Sequence, residues 1–220
     1  MPRLYKQSPY TVVLVGLLAA FVLSPMLQVL GAGGRIVAVF GLGVPLLAVY
    51  AVADNRTHLA VAGSLALVSA VTNARWLDLP TPIPPVGSTI AALLFFIYAT
   101  ALFLRGVLRS RAVTRDVLAG AMGSYLMLGI TWAFAFLLVD QVVGGAFTVP
   151  LVGVGGQPAF DTTIYFSLIT MLSVGYGDIA PVHPWARSLA ALEAFTGFAF
   201  GTIVLARLVA MHILSRHEER

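Results

Sequence analysis

Cysteine is missing from this chain, which excludes a disulfide framework and any cysteine-ligated metal and leaves its redox compartment unread. Charge is nearly as scarce. Of 220 residues 10% are charged, against about 25% in soluble domains, while 59% are hydrophobic. That balance excludes an ordinary soluble domain, and it makes a lipid bilayer, not nucleic acid, the expected surroundings. Lysine occurs once, at Lys6, and the other twelve basic residues are arginine. Histidines are few, and His58, His183, His212 and His217 show no metal-ligand spacing. His183 reads as a solvated loop residue and the other three as interfacial.

What is present is a series of apolar stretches of membrane length. They lie near residues 10 to 30, 36 to 53, 59 to 77, 88 to 104, 117 to 139 and 185 to 214, which predicts six spans. The first is about twenty residues, longer than the usual core of a signal peptide, so it is expected to remain as a span. With the N-terminus inside, Arg3, Lys6, Arg56, Arg105, Arg109, Arg111, Arg115, Arg207, Arg216 and Arg220 fall on the cytoplasmic side, against Arg35, Arg75 and Arg187 outside. This positive-inside bias places both termini in the cytoplasm of a multi-pass protein of the cell membrane. Short connections at Gly31 to Arg35, Asp54 to His58 and Leu79 to Gly87 group the first four spans into a four-helix module, residues 1–110. The Arg-rich stretch from Arg105 to Arg115 reads as an interfacial linker leading to a second module, residues 111–220. In the fifth span Gly120, Gly123 and Gly129 predict close helix contact.

Within the second module one short segment cannot span. Asp161 to Leu172 is twelve residues, about 18 Å as a helix, against a hydrocarbon core of about 30 Å. It is expected to enter and return, with Asp161 as N-cap and its C-terminal partial negative charge aimed at the membrane centre. It is followed by Ser173-Val174-Gly175-Tyr176-Gly177-Asp178, six residues of extended backbone among membrane helices. Such irregular backbone is tolerable at that depth only where protein surrounds it or it lines a water-filled path.

With Ser in place of Thr, this stretch resembles the Thr-Val-Gly-Tyr-Gly filter of potassium channels. From residue 117 to 215 the chain resembles the pore module of the six-span, bacterial-type tetrameric family: outer helix, pore helix, filter, inner helix. Thr170, Pro181, Trp185 and the inner-helix Gly197 extend the match. The resemblance implies an all-α integral membrane fold of six transmembrane helices plus a re-entrant pore helix and extended filter, assembled as a homotetramer. It implies K+ as the permeant ion, passing without enzymatic chemistry along the carbonyls of Ser173, Val174, Gly175, Tyr176 and Gly177. A dehydrated cation needs rings of oxygen in place of its water. Consecutive carbonyls face one axis only if alternate residues adopt backbone conformations that glycine accepts readily, as at Gly175 and Gly177. Val174 and Tyr176 then point away from the axis, and the Ser173 hydroxyl adds an oxygen at the inner end. Asp178, Tyr165 and Thr170 are the expected filter supports, and Gly197 and Gly201 the hinge candidates, with close helix packing as their other reading. The chain departs from the family pattern at Ser173, at Ile169, where some bacterial members carry Glu, and at Tyr165, often Trp, whose hydroxyl can reach Asp178. No cytoplasmic regulatory domain is expected after the inner helix.

Glu193 is an acid inside the last span, hence a functional candidate, with a structural reading as a carboxyl tied to Ser167 or Thr170. The first four spans resemble a voltage sensor in number only. Arg105, Arg109, Arg111 and Arg115 begin at the end of the fourth span, and the apolar stretches of the first three hold no acid. A voltage-gated channel with a reduced sensor stays as the alternative. Gly175-Tyr176-Gly177-Asp178 also matches the Gly-x-Gly-Asp of intramembrane aspartyl proteases, but that chemistry needs a second carboxylate sharing a proton, and the remaining aspartates lie at span ends or loops.

Overall fold

The computed structural model of this chain describes residues 8–29, 43–50, 56–72, 84–110, 112–152 and 159–218. They form seven helices: α1 (Pro9–Val29), α2 (residues 43–50), α3 (Arg56–Thr72), α4 (Pro85–Arg109), α5 (Arg115–Val143), α6 (Phe160–Met171) and α7 (Pro184–Glu218). No named strand occurs among the described residues. The connection expected at Gly31 to Arg35 lies outside them, as do Asp54 and Asn55 of the one at Asp54 to His58, residues 79–83 of the one at Leu79 to Gly87, and Arg111. α4 and α5 are each long and apolar enough to cross a membrane by length and composition, and Pro9–Ser24 and Thr57–Val71 are shorter apolar stretches.

Local chemistry accounts for the helix ends. α4 opens with Pro84 and Pro85, whose missing amides are unneeded in a first turn. α5 is capped at its start by Thr114, whose hydroxyl accepts from Val117 N at 3.2 Å, and at its end by Gly144 with φ 72°. Between these two helices lie only residues 110–114, so α4 and α5 form an antiparallel hairpin. Of the Arg105–Arg115 stretch, Arg105 and Arg109 belong to α4, and Arg115 opens α5.

Small residues set how closely the helices meet. A Cβ added at Gly120 would lie 2.7 Å from Val107 Cγ2 and 3.0 Å from Tyr10 Cγ, and one at Gly123 would lie 3.3 Å from Phe103 Cε1. Both glycines therefore seat α1 and α4 against α5. The resulting core joins Val13, Leu17, Phe95 and Phe103 to Met127 and Phe134 of α5, so α1 and α4 share one core with α5. Thr100 and Thr131 add a hydroxyl contact of 3.1 Å across the α4–α5 seam. His58, expected at the interface, is half-buried with Nδ1 2.9 Å from the Tyr98 hydroxyl, because α3 starts level with the middle of α4.

The first turn of α1 is capped from a distance. Asp116, in the first turn of α5, accepts from Thr11 N and Thr11 Oγ1, both at 2.8 Å. Loss of a capping acceptor typically costs about 1–2 kcal/mol. Asp116→Ala is therefore expected to lower the thermal unfolding midpoint of the chain in detergent, with Asp116→Asn retaining most of it. An unchanged midpoint in Asp116→Ala would remove the cap from the account.

Candidate functional site

α6 has 12 residues, about 18 Å, and cannot span a membrane. Its N-cap is Ala159, without a side-chain bond, and not Asp161. Asp161 lies two positions further in, where its Oδ1 accepts from Ser24 Oγ of α1 at 3.0 Å, so packing against α1 takes the carboxylate that sequence assigned to the cap. Gly129 of α5 lets α6 approach: a Cβ there would sit 2.7 Å from Leu168 Cδ2.

The stretch after α6 folds back on the helix end. Ser173 N donates to Thr170 O at 2.9 Å, while Val174 N and Gly175 N both reach Ile169 O, at 2.9 and 3.3 Å. Positive φ then recurs at every second residue: Ser173 57°, Gly175 54° and Gly177 79°. Val174 and Tyr176 between them stay on the ordinary side. This alternation is the backbone pattern that turns consecutive carbonyls toward one side. It begins one residue pair earlier than the glycines indicate, because Ser173 adopts it without being glycine. No atom lies within 4 Å of a Cβ added at Gly175 or Gly177, so φ alone makes glycine necessary there.

Of the expected supports, Tyr165 donates its hydroxyl to Asp178 Oδ2 at 2.8 Å, joining α6 to the far end of the stretch. Thr170 contributes through its carbonyl; its hydroxyl turns back to Phe166 O at 2.8 Å. Ile169 enters as a further support through its carbonyl, a role no side-chain motif announces.

The far end of the stretch is clasped by the Gly-rich loop that follows α5, read from sequence as an outer loop from Asp140 to Pro158. Thr148 N donates to Ala180 O and Val182 N to Ala146 O, both at 2.9 Å, around the Phe147–Pro181 bridge. Holding that loop is Asp140, only 4% exposed, which accepts from Ala146 N at 2.9 Å and Leu151 N at 2.8 Å. An acid at the C-terminal end of an apolar helix opposes the helix dipole, and its presence before Gly144-Gly145 was the available sign that loop amides meet it. Asp140→Ala strands two buried amides, a cost of about 2 kcal/mol, which corresponds to roughly thirtyfold in local opening. Hydrogen exchange at Thr148 and Val182 is expected to accelerate by that factor while α5 and α7 stay protected. Exchange unchanged at both sites would exclude the clasp.

Behind α6, Glu193 of α7 is fully buried and its Oε1 is hydrogen-bonded with Ser167 Oγ, which also lies 2.6 Å from Gly129 O. Trp132 Nε1 donates to Thr196 Oγ1 at 3.1 Å, and Tyr125 donates its hydroxyl to Met171 O at 2.9 Å. At Gly197 an added Cβ would fall 2.3 Å from Met171 O, whereas nothing lies within 4 Å of one at Gly201. The structure thus gives the two glycines different surroundings. Gly197 is buried against the end of α6, and Gly201 is exposed.

Residues 132–213, which contain α6, the stretch after it and most of α7, match the family model described as "Ion channel". The chain is 40% identical over 57 residues to two-pore potassium channel 5 of Arabidopsis thaliana, covering 26% of this chain and 14% of that protein. It is 33% identical over 88 residues to the inward rectifier potassium channel Kirbac3.1 of Paramagnetospirillum magnetotacticum, covering 40% and 26%. With two pore potassium channel c of Oryza sativa subsp. japonica it shares 34% over 83 residues, 36% of this chain and 18% of that one. It therefore spans between 14% and 26% of the length of these relatives. No solved structure matches the chain significantly. Two helices of membrane-crossing length and these relatives together make residues 132–213, within a chain that is helical through most of its described residues, similar to the ion-channel domain of potassium channels and not to an enzyme.

Proposed function

We propose that the chain is one quarter of a potassium-selective channel, four copies surrounding a single pore through which K+ moves passively. The observation that carries this reading is the alternation of positive φ at Ser173, Gly175 and Gly177 directly after a helix too short to cross the membrane. One filter stretch per chain supplies one quarter of each oxygen ring, so closure requires a four-fold axis. Exposed apolar side chains support the same assembly. Leu172, Val174 and Tyr176, and Leu192, Phe195 and Phe198 of α7, are exposed apolar side chains that a second copy would cover. Asp178 and Tyr165 hold the outer filter, and the membrane is the cell membrane with both termini in the cytoplasm.

Strong voltage dependence is not part of the proposal. A sensor moves charges through the field, each worth about 2.3 kcal/mol per 100 mV. Here Arg105 and Arg109 are exposed at the C-terminal end of α4, which is bound to α5 by a short turn. The test is reconstitution of the full chain in planar bilayers, with reversal potentials in asymmetric potassium and sodium and open probability against voltage. Reversal near the potassium equilibrium potential, a shallow voltage curve and tetramers by native mass spectrometry are expected. A conducting monomer, or equal passage of sodium, would refute it.

A further inference from the structure

Ser167 sits at the junction of three helices. Its hydroxyl oxygen lies 2.6 Å from Gly129 O on α5 and within hydrogen-bonding distance of Glu193 Oε1 on α7. A serine hydroxyl has one hydrogen to give. The Gly129 carbonyl can only accept, so at 2.6 Å the Ser167 hydrogen is needed there; without it two oxygens would face each other unbridged. The hydrogen between Ser167 and Glu193 must then come from the carboxyl.

We propose that Glu193 is a proton-bearing positioning residue: its carboxyl donates to Ser167, which donates to Gly129 O, and this relay fastens inner, pore and outer helices together behind the filter.

The surroundings agree. Glu193 is 0% exposed within its own chain, so neither water nor a neighbouring copy reaches it, and Oε2 has no partner. An ionised carboxylate with one hydroxyl neighbour would leave a buried charge without compensation, whereas the acid form leaves only one neutral carbonyl oxygen unpaired. Among the described residues no cation stands close enough to change this. On α7 itself Arg187 and Arg207 are six and fourteen positions away, about 9 and 21 Å along the axis. From α5 the titratable group facing Glu193 is Tyr125, whose hydrogen is given to Met171 O. On α6 the titratable neighbours of Ser167 are Asp161 and Tyr165, engaged with Ser24 and Asp178 respectively. Close approach at Gly129 and at Gly197, one turn beyond Glu193, brings the three backbones near enough for so short a relay.

The placement of the proton is independent of the conduction reading; only the consequence for the filter rests on it. The chain has three glutamates, Glu193, Glu218 and Glu219, so isotope labelling isolates very few carboxyls. The experiment is infrared spectroscopy of the full chain in lipid at neutral pH, unlabelled minus 13C-glutamate-labelled. A protonated-carboxyl band that shifts with the label is expected. It should disappear in Glu193→Gln and move to higher wavenumber in Ser167→Ala, which removes the acceptor. Glu193→Gln, whose amide can donate to Ser167 without charge, is also expected to keep potassium flux within about twofold, since the relay is preserved. Absence of a labelled acid band in the unsubstituted chain overturns the proposal, as does a band unmoved by Ser167→Ala. A folded Glu193→Gln chain that loses flux while the unsubstituted chain conducts overturns the positioning role. Absence of flux in the unsubstituted chain counts against the channel reading alone, leaving the band to decide the proton.

Discussion

Gly177→Ala is expected to abolish potassium-selective current while the chain still inserts and folds. Gly177 holds φ 79°, and a left-handed conformation costs an L-residue with a Cβ about 1–2 kcal/mol. In the proposed tetramer that cost recurs four times around one ring, enough to rotate the carbonyls out of the pattern. Crowding is not the cause, because nothing lies within 4 Å of the added Cβ. A control separates strain from position. Gly145 has φ 69° in the outer loop, also with open space, so Gly145→Ala imports similar strain away from the filter. Bilayer recordings of the two variants should therefore differ: Gly177→Ala silent or unselective, Gly145→Ala still selective. Selective current in Gly177→Ala would refute the carbonyl path.

Alanine at Gly197 should be far more damaging than alanine at Gly201. The Cβ at 197 would fall 2.3 Å from the Met171 carbonyl oxygen and 2.7 Å from Met171 Cγ, and the first of these atoms is backbone at the end of α6. The filter turn hangs from that same helix end through Ile169 O and Thr170 O. Relief of the clash must therefore move α6 and with it the start of the filter, so lost conduction and a stability loss of about 1–3 kcal/mol are expected. Gly201→Ala meets nothing and gains helix propensity, a change of about 0.5–1 kcal/mol in the stabilising direction. Thermal melts and flux of both variants decide the matter. Equal tolerance would show that α7 does not approach α6 as closely as described. A stable Gly201→Ala chain that no longer opens would instead assign the hinge to Gly201.

Several features were legible in the residues alone because their causes are local. A twelve-residue apolar segment is too short to span whatever surrounds it, and Gly175 and Gly177 mark positive φ by lacking a Cβ. Gly120, Gly123 and Gly129 could be assigned to close helix contact because small side chains in an apolar helix serve few other ends. Tyr165 and Asp178 are thirteen positions apart across one short turn, so their bond lay within local reach.

Tertiary structure decided everything that depends on which helix faces meet. Asp116 and Thr11 are 105 positions apart, and no periodicity pairs them. Asp161 looked like a cap until α1 brought Ser24 to it, 137 positions away. Asp140 reads as an ordinary span-end acid, yet the loop turns its amides inward and makes that carboxylate the anchor of the outer clasp. Ser167 and Thr170 were equal partners for Glu193 by spacing; packing selects Ser167, because the Thr170 hydroxyl is committed to its own helix. Gly197 and Gly201 have identical chemistry, and only the position of Met171 separates a packed contact from an open one. Backbone chemistry is written in neighbouring residues, whereas the partner of a buried polar group is set by the global arrangement that excludes water from it.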